Sequence, residues 1–163
     1  RYYKAFLDKY KDIAKWHETL QSNAIQYKKV KLPSGREYAF PYAQRQAWGG
    51  SSYSTQIKNY PVQGFATADI VPIACINAYK MMKEKLVKSL LINTVHDSIV
   101  VDAHPDEIDL MTDILDNATK DVIKSLYTFY KVNFNVPLDT ELKIGDNWLD
   151  MQEIKLTTER LTV

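Results

Sequence analysis

Two apolar, β-prone runs separated by only two residues constrain this chain more than any other feature. Leu90-Leu91-Ile92-Asn93-Thr94-Val95 and Ser98-Ile99-Val100-Val101 flank His96-Asp97. A link that short joins antiparallel neighbours in a hairpin. An aspartate at such a junction is held rigidly, and its carboxylate projects from the sheet end rather than into the core. That suits a hard cation such as Mg²⁺, which binds through one or two carboxylates plus water and phosphate oxygens. Aspartate is equally a common turn residue, because its side chain bonds nearby backbone. On His-Asp alone, both readings stand.

The remaining sequence supplies helices to cover this hairpin. Tyr3, Phe6, Leu7, Tyr10, Ile13 and Ala14 recur at the helical period. Asp12 offers a break and re-cap, followed by a second helical stretch through Trp16 and Leu20. Val30-Lys31-Leu32, Pro33-Ser34-Gly35-Arg36 and Glu37-Tyr38-Ala39-Phe40 read as strand, turn and strand. Gly49-Gly50-Ser51-Ser52 marks a loop. A long helix is predicted from Gln63-Gly64 to Leu86, bent where Pro72 removes a backbone bond. Pro105 suits the first turn of another helix, with Asp106 and Glu107 favourable near its start. Ile108, Met111, Leu115, Ala118 and Val122 give it one apolar face. Residues 138–144 alternate as a half-buried strand, with Leu138, Thr140, Leu142 and Ile144 on one side. Helices segregated around a small antiparallel sheet define an α+β class. No linker is visible, so one domain is expected.

Composition bounds the function only loosely. With 163 residues, 45% of them hydrophobic, the chain can bury an ordinary core. A net charge of +1 gives no sign of a nucleic-acid partner. The clusters Lys28, Lys29, Lys31, Arg36 and Lys80, Lys83, Lys85, Lys88 read first as solvated faces. The single cysteine, Cys75, sits in an apolar run and reads as a small core residue. No run approaches the ~18 apolar residues of a membrane span, and no secretory signal opens the chain. A reducing, cytoplasmic setting is the default, with no membrane partner. The first residue is Arg1 rather than methionine, which reads as processing or as a piece of something longer.

Upstream of the His-Asp hairpin stands Asn59-Tyr60-Pro61-Val62-Gln63-Gly64-Phe65-Ala66-Thr67-Ala68-Asp69. Alone, it is a loop entering a helix, with Pro61 and Gly64 shaping the turn and Asn59 and Gln63 as solvated amides. Together, in this order, the two segments resemble family A DNA polymerases, the class of bacterial DNA polymerase I and many phage replicases. There the Asn-x-Pro-x-Gln-Gly pattern opens a helix of the palm, and the His-Asp hairpin is motif C. Phe6 to Tyr10 with Trp16 resembles the helix pair leaving the fingers. Lys29 to Pro41 resembles the family's small hairpin, and Gly145-Asp146-Asn147-Trp148 its carboxy-terminal Gly-x-Asn-Trp. The resemblance covers 1–150, a carboxy-terminal fingers-exit and palm portion, and leaves 151–163 as a tail.

The resemblance implies template-directed DNA synthesis, with a template-primer duplex and deoxynucleoside triphosphates as partners. Asp97 matches the motif C aspartate that holds the catalytic metals, a two-metal Mg²⁺ site. His96 matches the histidine bonded to the primer terminus. Asn59 and Gln63 match minor-groove contacts, where acceptors common to every base pair allow geometry to be checked without reading sequence. Arg36 and Lys29 are expected to touch phosphates, which positions DNA without specifying it. Asp69, near the expected helix start, reads as a structural or capping carboxylate.

The departures are informative. Ser98 stands where the family usually has glutamate, as in single-subunit RNA polymerases, a second reading that the Asn59-to-Gly64 pattern disfavours. Pro72 is unusual in the palm helix. The loop 46–57 holds no basic residue, where the family usually places arginines toward the template. The motif A aspartate and the motif B lysine and arginine are missing. Asp102 does not replace the former, because an extended strand carries it ~16 Å from Asp97 and onto the other face. One protein ligand is thus expected here, the rest coming from a missing amino-terminal polymerase region on the same or a separate chain. The isolated chain is expected to be inactive and poorly soluble, exposing a sheet edge and apolar surface. Two further readings are a non-catalytic duplex-binding module and a histidine-aspartate phosphohydrolase. The latter needs more ligands than His17, His96 and His104 supply. The expected setting is the cytoplasm of a bacterium or phage-infected cell.

Overall fold

The computed structural model describes residues 2–47 and 49–154. Contacts divide the chain into two compact units, 1–72 with 130–132, and 73–129 with 133–163. The division falls at Pro72, inside an unbroken helical stretch. No linker exists there to be read, which is why one domain was expected.

In the first unit, α1 (Tyr2–Lys9) and α2 (Lys11–Tyr27) are separated at Tyr10, whose φ of −112° and ψ of 67° break the helix. Asp12 falls in the first turn of α2 rather than at the break. Leu20 and Ala24, four apart, face the core. Lys28 ends α2 in the left-handed region at φ 57°, and the chain turns into β1 (Lys29–Lys31). This strand pairs antiparallel with β2 (Glu37–Ala39), Val30 opposite Tyr38. Leu20, Ala24, Val30, Phe40, Ala43 and Ile57 form the core, with Tyr38 packed against it. Fully burying a side chain such as Ile57 contributes about 1.5–3 kcal/mol.

The long helix begins earlier than the sequence suggests. α3 spans Ser54–Gln63, a π-helical segment covers Gly64–Ile70, and α4 follows at Val71–Lys85. Pro61 and Gly64 lie inside this stretch, not in a turn before it. Pro61 is buried and takes helical dihedrals at the loss of one amide bond. Gly64 has an ordinary right-handed φ of −63°. Its lack of a side chain answers a different need: a β-carbon there would collide with the Tyr38 hydroxyl. Pro72, where a bend was expected, is the second residue of α4 and directly follows the π-helical segment. Wider turns loosen the ladder where a proline lacks its N–H.

The second unit is built on α4, with Ala74, Ala78 and Met82 buried at successive four-residue steps. β3 (Leu90–Val95) and β4 (Ser98–Asp102) form the expected hairpin, interrupted by a bulge between Leu91 and Asn93. A 3₁₀ turn, Pro105–Glu107, leads into α5 (Ile108–Lys120), and α6 (Val122–Tyr130) follows. Met111, Ile114 and Ala118 of α5 pack with Ala78 and Met82, joined by Leu91 and Val101 of the hairpin. Asn77 ties the helices: its amide nitrogen donates to the Ala118 carbonyl at 3.2 Å, and its oxygen accepts from the Ser125 hydroxyl at 3.2 Å.

Of the alternation at 138–144, only β5 (Leu142–Ile144) forms a ladder. Its partner is β6 (Gln152–Ile154), inside the segment read as a tail. The turn between them is closed by Asn147, whose side-chain oxygen accepts from the amides of Leu149 and Asp150. The fold is α+β as expected, but the sheet component is three separate two-stranded hairpins among the described residues.

Candidate active site and nucleic-acid interface

Asp97 and His96 form the two-residue turn between β3 and β4, with Val95 opposite Ser98 as the last ladder pair. Both side chains are exposed. His96 sits in the left-handed region at φ 55°. Such a conformation costs a non-glycine residue about 1–2 kcal/mol, and it is held here by the ladder on either side. The Ser98 hydroxyl donates to the Val95 carbonyl at 2.8 Å and so tightens the turn. Asp102 pairs with Leu90 at the opposite end of the ladder, which removes it from the neighbourhood of Asp97. Among the described residues, no group of three or more His, Cys, Asp or Glu side chains gathers as a metal site.

The other four candidates lie in the first unit. Asn59 and Gln63 stand one helical turn apart on α3, exposed, with the Asn59 amide donating to the Gln63 oxygen at 3.2 Å. Asn59 also lines an open hollow of about 400 Å³ with Tyr3, His17, Thr55 and Lys58. His17 Nδ1 is buried there without a hydrogen-bond partner. Burial first, and the Lys58 charge second, push its pKa below the ordinary histidine value. Lys29 pairs with Glu37 across the β1–β2 ladder at 2.9 Å, both side chains about half exposed.

Arg36 is more deeply engaged. Its Nε donates to Asp69 Oδ1 at 3.0 Å, and its Nη2 lies 2.9 Å from the same oxygen and donates to the Ala68 carbonyl at 3.0 Å. Ser34 donates to Asp69 Oδ2 at 2.5 Å. The hydrogen bond to Asp69, reinforced by its charge, raises the Arg36 pKa further. Asp69 is buried within the π segment, so it acts as a structural carboxylate, as read, but from mid-helix rather than near a helix start. The turn of one hairpin is thus pinned to the widened part of the helix that presents Gln63.

Sequence reasoning passed over Glu107 except as a favourable charge near a helix start. Its carboxylate accepts from the backbone N–H of Lys88 and Ser89 and from the Ser89 hydroxyl, at 2.6–3.0 Å. These bonds, the hydroxyl's foremost, lower its pKa to about 2. A carboxylate near Pro105 resembles a simple helix-dipole partner, and nothing in the local sequence points back to Lys88 and Ser89.

No helix among the described residues is long and apolar enough to cross a membrane. The family model described as DNA polymerase family A matches residues 1–150. Among similar proteins is the DNA polymerase I of Chloroflexus aurantiacus, 31% identical over 60% of this chain and 9% of that protein. The DNA polymerase I of Bacillus subtilis is 28% identical over 90% of this chain and 16% of that protein. The DNA polymerase of Bacillus phage SP01 is 26% identical over 92% of this chain and 16% of that protein. This chain therefore spans less than a fifth of the length of each. Among solved structures, the POL domain of Pol1 from M. smegmatis, in complex with DNA primer-template and dNTP, superposes with a TM-score of 0.67. That match has 18% identity over 82% of this chain and 22% of the other.

Proposed function

This chain belongs to DNA polymerase family A, and from that membership we propose that it supplies the hairpin carboxylate and part of the duplex-holding surface for template-directed DNA synthesis. The observation that carries the reading is the exposed Asp97 at the tip of a tight hairpin, beside His96 in a strained backbone conformation. Nucleotidyl transfer is an in-line displacement: the primer 3′ oxygen attacks the α-phosphorus of the incoming nucleotide, and diphosphate leaves. Magnesium, when bound, supplies positive charge to the attacking and leaving oxygens.

One accessible, hard carboxylate oxygen fits a cation that keeps much of its water and takes phosphate oxygens as further ligands. Asp97 would hold it in part, and the second carboxylate would come from the motif A region outside the described residues. With a single ligand, the chain alone is inactive. His96 would donate to the primer terminus. Asn59 and Gln63 would turn their amides from each other to the minor-groove acceptors, an exchange between hydrogen bonds of similar strength. Lys29 would trade Glu37 for a DNA phosphate, which costs little because an exposed ion pair is worth at most about 1 kcal/mol. Arg36 keeps part of its guanidinium in water beside the Asp69 contact and would face the backbone from there. The solved neighbour's primer-template and nucleotide support the same two partners here, and the relatives' names support deoxynucleotides over ribonucleotides. A free Cys75 suits the reducing cytoplasm of a bacterium or phage-infected cell.

Primer extension on a recessed duplex, with Mg²⁺ and all four deoxynucleotides, tests this. The chain is assayed alone and together with a protein supplying the amino-terminal polymerase region, each with an Asp97→Ala control. Activity only in the combined sample, abolished by the substitution, is expected. Activity that survives Asp97→Ala overturns the assignment, and activity of the chain alone overturns the claim that its site is incomplete.

A further inference from the structure

We propose that Glu107 is a positioning residue for Asp97, locking the base of the β3–β4 hairpin through Ser89 and so aiming the turn at its tip. The proposal rests on the polymerase reading of Asp97. Lys88 N donates to both carboxylate oxygens at 2.9 and 3.0 Å, and Ser89 N donates to Oε2 at 2.9 Å. The Ser89 hydroxyl donates to the same oxygen at 2.6 Å and accepts from His104 N at 3.0 Å. Glu107 N in turn donates to the His104 carbonyl at 2.8 Å. The chain entering β3 and the chain leaving β4 are therefore tied through one carboxylate and one hydroxyl. Ser89 is only 4% exposed, so water competes poorly for its bonds.

The lock sits just outside the Leu90–Asp102 pair, and Asp97 lies beyond the other end of the ladder. Six residues of β3 make a lever of ~20 Å. Rocking the base by ~5° would move the tip by ~2 Å, and a misplacement of ~1 Å can cost about 100-fold in rate. Packing restrains mainly the near half of the hairpin: Leu91 and Val101 touch the core cluster, whereas Ile92 is skipped by the ladder and exposed, as are Thr94 and Val95. The carboxylate stays ionised at any working pH, because the same hydrogen bonds hold its pKa near 2.

The test is single-turnover nucleotide incorporation by the reconstituted polymerase carrying Glu107→Gln, titrated with Mg²⁺, beside Asp97→Ala. Hydrogen exchange on the variant chain is measured in parallel. The amide side chain keeps one oxygen for the donors that converge on Oε2, but it turns an NH₂ toward Lys88 N in place of Oε1 and gives up the charge that strengthens every one of these bonds. A kcat reduced about 10- to 100-fold is expected, with KM for the nucleotide changed by less than about twofold. A higher half-saturating Mg²⁺ concentration and faster exchange at 93–99, with α5 still protected, are expected too. Wild-type kcat and Mg²⁺ dependence overturn the proposal. A loss of rate that merely tracks the folded fraction, with Mg²⁺ dependence unchanged, overturns it as well. Should Glu107→Gln fail to fold, Ser89→Ala removes one hydroxyl and leaves the Lys88 contacts, and is judged on the same readouts. An inactive Asp97→Ala beside a wild-type-like Glu107→Gln rejects the positioning role alone. An active Asp97→Ala rejects the polymerase reading and this inference with it.

Discussion

A β-carbon at Gly64 would run into the Tyr38 hydroxyl, and Tyr38 has little room to withdraw. Its ring packs against the first core and lies 5.5 Å from that of Tyr60. Gly64→Ala should therefore destabilise the chain by about 1–3 kcal/mol, the usual cost of overpacking. Tyr38→Phe, which deletes the offending oxygen, should recover part of that loss in the double variant. Denaturant midpoints measure both, and a Gly64→Ala chain as stable as the parent would refute the close approach. His96 shows the opposite case, a side chain retained against backbone preference. Glycine populates φ 55° without penalty, so His96→Gly should raise the hairpin's stability by up to ~1 kcal/mol. The same variant should reduce primer extension by the reconstituted enzyme. Stability and activity moving together would argue that His96 is only a turn residue. Neither effect was legible in sequence: the dipeptide reveals a turn but not its φ, and Gly64 reads as a turn former until Tyr38 is seen across from it.

Arg36, Ser34 and Asp69 join two elements, the β1–β2 turn and the π segment. Removing the arginine would leave a buried carboxylate with the Ser34 hydroxyl as its remaining side-chain donor. Arg36→Ala should cost about 1–3 kcal/mol, as when a buried acceptor loses a charged donor, tempered because the guanidinium is half exposed. In the Asp69→Asn background the same substitution should cost less, and equal costs in both backgrounds would show that the pair is not coupled. Glu107 ties another pair of elements and carries a pH signature. Its folded pKa is near 2, against an ordinary 4.5, so folding favours the ionised form. The resulting stability is complete above the ordinary value and disappears as pH falls from about 4.5 toward 2. Melting temperatures of the parent and Glu107→Gln, taken across that range, should converge at the acid end. A constant gap would mean that the carboxylate is not held ionised. The β1–β2 and β3–β4 hairpins and the α5 face were readable because alternation and helical period are local signals. The α3 start and β6 were not, since Pro61 has a buried helical site that tertiary packing supplies, and β6 is defined only by its pairing with β5.

At the scale of the molecule, the boundary at Pro72 was illegible because it lies within a helical stretch, whereas the polymerase signature was legible because ordered motifs survive at low identity. The fold also leaves much apolar surface uncovered. Each described sheet has two strands, so β3 and β4 each leave one edge unpaired. Leu90 and Ile92 on β3 are 61% and 59% exposed, and Leu86 and Leu149 protrude still further. A free edge bearing apolar side chains is a template for pairing with another chain, and a net charge of +1 provides almost no repulsion to oppose it. The isolated chain should therefore self-associate. Sedimentation velocity should show the mean sedimentation coefficient rising with concentration, and Ile92→Lys should shift the distribution toward monomer. That side chain is already bulged and exposed, so the substitution should change stability by no more than about 0.5 kcal/mol. Adding the amino-terminal polymerase region should suppress the association in the same way, because covering the edge removes the template that a second copy would use. A chain that stays monomeric across the range would mean that the edge is protected within the chain itself. Association that persists unchanged in Ile92→Lys would place the sticky surface elsewhere, at Leu86 or Leu149.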